Sequence, residues 1–146
     1  MTLNEKSKKL RRLLFNDDLK EFRQLLDDLL REGTSKSAEY LICALQENDD
    51  YMDEMYQILH AAESVPMEQY LGGFLSSVVG GTADNYWVEM LLLRIMNDGV
   101  YLSRVSELAK ELDQASREIL KEIAISASIR RPEFKDRSTA FIIEIS

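Results

Sequence analysis

The run Asn16-Asp17-Asp18-Leu19-Lys20-Glu21-Phe22-Arg23-Gln24-Leu25-Leu26-Asp27-Asp28-Leu29-Leu30-Arg31-Glu32-Gly33 decides the fold class. Its apolar residues Leu19, Phe22, Leu25, Leu26, Leu29 and Leu30 return every three or four positions, which puts them on one side of an α-helix and the charges on the other. Asn16-Asp17-Asp18 supplies side-chain oxygens for the unpaired amides at the helix start, and Gly33 stops it.

The same pattern extends in both directions. Upstream, Leu10, Leu13 and Leu14 predict a short first helix. Downstream, Thr34 to Ser37 caps a helix through Tyr40, Leu41, Ala44 and Leu45, which ends at Glu47-Asn48-Asp49-Asp50. Asp49 or Asp50 then caps a helix over 51–62, with Met52, Met55, Tyr56 and Leu59 sharing a face. Ser64 and Pro66 start another, which runs to Val79 and is closed by Gly80-Gly81; Gly72-Gly73 inside it is read as permitting close helix packing. Ala83-Asp84 opens a helix to Met96 that is apolar nearly all round, as a buried element should be, and Asn97-Asp98-Gly99 breaks it. Tyr101, Leu102, Val105, Leu108 and Leu112 mark one further helix, and Ile119, Leu120, Ile123 and Ala124 the next, with Asp113 as its cap.

From Arg130 the chain turns polar, and Thr139 to Ile145 has strand propensity, so residues 130–146 are expected to form an irregular, docked or short-strand tail, with a helix as the alternative. The expectation is therefore an all-α chain of about seven to eight helices in one domain, 1–146. The helices form stacked antiparallel hairpins, either HEAT-like or as an irregular bundle. Tyr51-x-x-Glu54-Met55 returns 35 residues later as Tyr86-x-x-Glu89-Met90, the length of a helix-pair repeat.

Composition supports a folded chain: 146 residues, 45% hydrophobic and 30% charged, are enough to build a core. No apolar run follows the basic residues of 1–12, so no secretory signal is expected, and no stretch approaches the ~20 apolar residues of a membrane span. A cytoplasmic location is the expectation. Net charge is −8, unevenly spread: residues 32–93 carry one Lys/Arg against eleven Asp/Glu. That field favours a basic protein partner and disfavours direct nucleic-acid binding.

The residues do not assemble a catalytic constellation, and the chain is read as a binding protein, not an enzyme. His60 is the single histidine and no nucleophile elbow surrounds any serine; it is read as a half-buried, hydrogen-bonded residue. Cys43 lies among core-type residues and is read as a small buried hydrophobe. The glycine pairs do not form a phosphate-binding fingerprint, and Glu47–Glu54 lacks the central glycine of a calcium loop. No metal or cofactor is expected. Lys8-Lys9 and Arg11-Arg12 are read as a solvated helix face, and Tyr86, Trp87 and Tyr101 as core more than interface.

The segment containing Glu47, Asp49, Asp50, Tyr51, Asp53 and Glu54 has two readings. Its acids cap a helix and complement the positive end of its dipole, or, interleaved with Tyr51, they form an anionic platform for a basic protein.

Three stretches carry a further signal. Met55-Tyr56-Gln57-Ile58-Leu59-His60-Ala61-Ala62-Glu63-Ser64, then Met67-Glu68-Gln69-Tyr70-Leu71, then Tyr86-Trp87-Val88-Glu89-Met90-Leu91-Leu92-Leu93-Arg94-Ile95-Met96-Asn97 together resemble bacterial immunity family thirty, over about residues 40–125. That family belongs to polymorphic toxin systems, contact-dependent growth inhibition among them. The resemblance implies a small cytosolic protein that binds a cognate toxin domain and blocks it without catalysis. It favours the platform reading of the acidic segment, for a basic, nuclease-type toxin. It does not assign toxin-contacting residues, so His60, Glu63, Arg94 and Asn97 stand as family signature alone. The rival reading is a helical-repeat scaffold or regulatory adaptor that binds a basic protein in no toxin system.

Overall fold

The computed structural model describes residues 3–146, without the side chains of Leu3, Asn4 and Asp49. The described chain is all-α, and its helices divide into two compact units, one ending at Asp84 and the other spanning Asn85–Ser146.

The first unit holds α1 (Leu3–Phe15), α2 (Leu19–Glu32), α3 (Ser35–Ala44), a 3-10 turn at Asp49–Tyr51, α4 (Met52–Glu63) and α5 (Met67–Gly80). The caps read from the sequence are mostly in place. Asp18 accepts the Glu21 amide at the start of α2, and Gly33 ends that helix in the left-handed conformation at φ 61°. Thr34 and Ser37 form a reciprocal capping box on α3, each side chain accepting the other's backbone N–H.

From there α3 runs through the middle of the unit, packed against α1, α2, α4 and α5. Its composition explains the position. Ala38, Leu41, Ile42, Cys43 and Ala44 are buried, so nearly every face is covered, and Glu39, also buried, is met by Lys36 at 3.6 Å. Phe22, Leu26 and Leu29 of α2, Met55, Ile58 and Leu59 of α4, and Tyr70, Leu71 and Phe74 of α5 complete the core. Of the two arrangements expected, a helix touching four others fits the irregular bundle. The glycine pair in α5 brings that helix against α3: a Cβ on Gly73 would lie 2.7 Å from the Cβ of Ala38, 2.8 Å from the Ser35 carbonyl oxygen and 2.9 Å from the Glu39 nitrogen.

The second unit holds α6 (Asn85–Met96), α7 (Gly99–Lys110), α8 (Gln114–Arg130), a 3-10 turn at Pro132–Phe134 and α9 (Lys135–Ile145). Within it α6 packs on α7 and α8, and α9 on α7 and α8. Asp98 caps α7 and Asp113 caps α8, the latter holding its carboxyl below the usual aspartate range through the Ser116 amide and hydroxyl. Trp87, Leu91, Leu92 and Ile95 are buried, so Trp87 belongs to the core. Glu89 is buried too, accepting hydrogen bonds from the Ser126 hydroxyl and from Arg130 Nε at 2.9 Å, which ties α6 to the last turns of α8.

Two expectations are corrected here. Of the forms left open for the tail, it takes the docked helix, α9, and not the irregular or strand form. Ser138, Phe141 and Ile145 recur at helical spacing and are buried, and the Ser138 hydroxyl donates to the Ala124 carbonyl at 2.7 Å. Docking that face outweighs the strand preference of the isoleucines. The Tyr-x-x-Glu-Met echo is not a structural repeat either, because Glu89 is buried and Met90 half-buried whereas Glu54 is half-buried and Met55 buried.

A candidate partner-binding surface in the first unit

The acidic segment leaves the C-terminal end of α3, where helix geometry strands several backbone carbonyls. Arg11 of α1 satisfies two of them, donating from Nε to the Ala44 carbonyl at 3.2 Å and from Nη2 to the Cys43 carbonyl. A cation at this end also complements the helix dipole. Nearby, Ser7 donates to the Tyr40 carbonyl at 2.7 Å and Lys6 lies 4.8 Å from the centre of the Tyr40 ring, so α1 is fastened to α3 along its length.

Three hydrogen bonds hold the link that follows. The Glu47 amide donates to Asp84 Oδ2 at 3.2 Å, the Asn48 side chain accepts the Asp50 amide at 3.0 Å, and the Tyr51 amide donates to the Asn48 carbonyl at 3.2 Å. This corrects the capping expectation for Asp50, while the Asp49 side chain lies outside the described residues: Asn48 caps the 3-10 turn, and among the described side chains none caps α4, whose N-cap position is Tyr51. Asp50 therefore does not serve as a cap. Asp53 and Glu54 sit in the first turn of α4, where the dipole favours them.

Of the residues expected to form the platform, Glu47, Asp50 and Asp53 are exposed and Glu54 and Tyr51 half-buried, while the Asp49 side chain lies outside the described residues. No ion pair neutralises Glu47, Asp50 or Asp53 among the described residues. Tyr51 stands edge-on to Phe15, ring centres 5.6 Å apart at 89°, and Phe15 itself is 53% exposed.

Phe15 opens onto a feature that the sequence reading passed over. Glu5, Lys8, Arg11, Arg12 and Phe15 line a groove of about 420 Å³ along α1. Their spacing of three and four was the available signal, and the reading took it as solvated surface because nothing local shows that the face is concave.

The remaining candidates fall elsewhere. Cys43 is buried, and burial pushes its thiol up; the Thr82 hydroxyl, 3.3 Å from the sulfur, works the other way, Glu39 again raises it and Arg11 lowers it. His60 is exposed and not half-buried as expected, with Nδ1 3.8 Å from Glu63, because α4 turns that position away from the helices it packs on. Asn97 accepts from Arg137 at 3.1 Å and Arg94 is exposed. Among the described residues no group of His, Cys, Asp or Glu is arranged to hold a metal ion, and no helix is long and apolar enough to cross a membrane.

The described residues thus form an all-helical chain with exposed, unneutralised carboxylates on and beside this link. The model of the family Immunity protein 30 matches residues 9–105, and the chain belongs to that family. No curated protein and no solved structure matches it.

Proposed function

We propose that this chain neutralises a cognate toxin domain, basic and of nuclease type, by covering it with the surface built on Glu47, Asp49, Asp50, Tyr51, Asp53 and Glu54. It acts by steric and electrostatic block, in the cytoplasm, with no chemistry of its own. Family membership supports the immunity role. The observation that carries the surface is the exposure of Glu47 and Asp50 on the link and of Asp53 at the start of α4, beside a link held by Asn48 and Asp84 and by Arg11 at the end of α3. Those carboxylates are free to act on a partner. The acidic excess also lies on this side of the chain: residues 1–84 carry nine Lys/Arg against sixteen Asp/Glu, residues 85–146 nine against ten. An anionic field of this kind accelerates capture of a cationic partner.

The test uses the toxin domain encoded by the reading frame adjoining this chain's gene. Asp50→Lys with Asp53→Lys should slow association by about tenfold or more at low salt and flatten its salt dependence. Unchanged association kinetics would remove these residues from the interface.

A further inference from the structure

We propose that the groove along α1 is the acid-accepting half of the same partner surface. It receives a segment of the toxin domain bearing an Asp or Glu carboxylate beside an apolar side chain. This inference rests on the immunity reading and adds to it a second contact of opposite charge.

Lys8 and Arg12 stand one helical turn apart on the groove wall and are exposed, and neither makes an ion pair among the described residues. Arg11, the third cation of the groove, is engaged with the carbonyls at the end of α3, so it positions the groove and leaves ligand binding to the other two. Glu5 lies one turn from Lys8 but seven residues from Arg12, roughly 10 Å along the helix, so the Arg12 side of the groove is clear of its charge. A carboxylate therefore lands between Lys8 and Arg12, where the planar guanidinium offers it two parallel donors.

The apolar end is supplied by Phe15. An aromatic ring 53% exposed at the mouth of a groove, held edge-on by Tyr51, presents a rigid anchor with little rotamer freedom to lose. Because Tyr51 belongs to the acidic segment, the pair joins groove and platform into one surface: cations on one side, carboxylates on the other, aromatic rings between. A uniformly basic partner is repelled by Lys8 and Arg12, so the groove contributes only where the toxin places an acid against it. The platform thus sets the speed of capture and the groove the choice of partner.

The two contacts make opposite demands, which the test uses. Lys8→Glu with Arg12→Glu makes the chain four charges more negative, so long-range attraction alone predicts faster and tighter capture of a basic toxin domain. A seated carboxylate predicts the reverse in lifetime: dissociation from the adjoining-frame toxin domain quickens by about tenfold or more while association holds or rises. Phe15→Ala should also quicken dissociation. Lys8→Gln with Arg12→Gln, a milder change for helix α1, should weaken binding by about threefold, and circular dichroism checks that each variant folds. If Asp50→Lys/Asp53→Lys weakens binding while both Lys8/Arg12 variants bind as tightly as the unmodified chain, the groove inference falls and the immunity reading stands. If the unmodified chain does not bind the toxin domain, both fall.

Discussion

Gly73→Ala should destabilise the first unit even though alanine is the better helix former. A methyl at position 73 meets the Ala38 Cβ at 2.7 Å, the Ser35 carbonyl oxygen at 2.8 Å and the Glu39 nitrogen at 2.9 Å, two of them backbone atoms of α3 that no rotamer change can move. Carbon atoms rest at ~3.5–4.0 Å, so α3 must retreat from α5 by most of an ångström, loosening the contacts of buried Ala38, Leu41 and Ile42. Overpacking of this kind costs ~1–3 kcal/mol. With backbone in the way the upper end applies, and the gain in helix propensity returns ~1 kcal/mol, leaving a loss of about 2 kcal/mol.

Gly72 is the internal control. Its added methyl meets the Ser35 hydroxyl oxygen at 3.0 Å, the end of a side chain that can rotate, and the Ser35 Cβ at an ordinary 3.6 Å, so Gly72→Ala should be neutral or stabilising by up to ~1 kcal/mol. Urea unfolding of both variants at equal m-value reads the difference as a shift in midpoint. Adding Ala38→Gly to Gly73→Ala should restore little, because the Ser35 and Glu39 backbone contacts remain and glycine costs α3 ~1 kcal/mol of helix propensity. Equal midpoints for Gly72→Ala and Gly73→Ala would refute the reasoning, since the two substitutions differ in nothing but what the new methyl touches.

Two other consequences concern the second unit. Arg130→Ala should cost about 2 kcal/mol, more than Glu89→Gln, because it strands a buried carboxylate with only the Ser126 hydroxyl, whereas glutamine keeps hydrogen bonds to both partners. The figure is set below the usual cost of breaking a buried pair because Arg130 is 46% exposed; a reversed order in thermal unfolding would overturn the assignment of Glu89 as the buried member. Asp113 accepts the Ser116 amide and has a lowered pKa, so the stability it confers is present above the ordinary aspartate range and is lost as pH falls through its own lower value. Asp113→Asn retains a capping side chain and should flatten that acid limb of the urea midpoint against pH, leaving the neutral-pH midpoint nearly unchanged.

What was legible in the sequence follows from the range of the interactions involved. Asp18, Gly33, Thr34, Asp98 and Asp113 act on amides or carbonyls within four residues, so each announces a helix end by identity and position alone. Glycine at 72 and 73 inside an apolar helix signalled close approach, though not that α3 is the helix approached. Partners remote in sequence left no such mark. The residue covering the end of α3 is Arg11, more than thirty positions away, and the helical state of the tail depends on Ser138, Phe141 and Ile145 finding a face to dock on. The acidic platform was visible as composition, because exposure of Glu47, Asp50 and Asp53 is the default for such residues. The groove beside it was not, since helical spacing places Glu5, Lys8, Arg12 and Phe15 on one face without showing that the face is hollow.

The link between Ala44 and Met52 shows how an irregular segment can present charge without being loose. A chain leaving a helix has open carbonyls behind it and open amides ahead, and acidic side chains are the usual means of closing the amides. Here other residues meet these needs: Arg11 takes the carbonyls of Cys43 and Ala44, Asp84 takes the Glu47 amide, Asn48 takes the Asp50 amide, and Phe15 steadies the Tyr51 ring. Each tie removes an internal use for a nearby carboxylate. Glu47 and Asp50 on the link and Asp53 at the start of α4 are exposed, and ties already formed within the link lower the ordering cost that association imposes. On the proposed reading, that economy lets a short irregular segment act as a preformed contact for the toxin, with α1 serving both as its brace through Arg11 and as its cationic counterpart through Lys8 and Arg12.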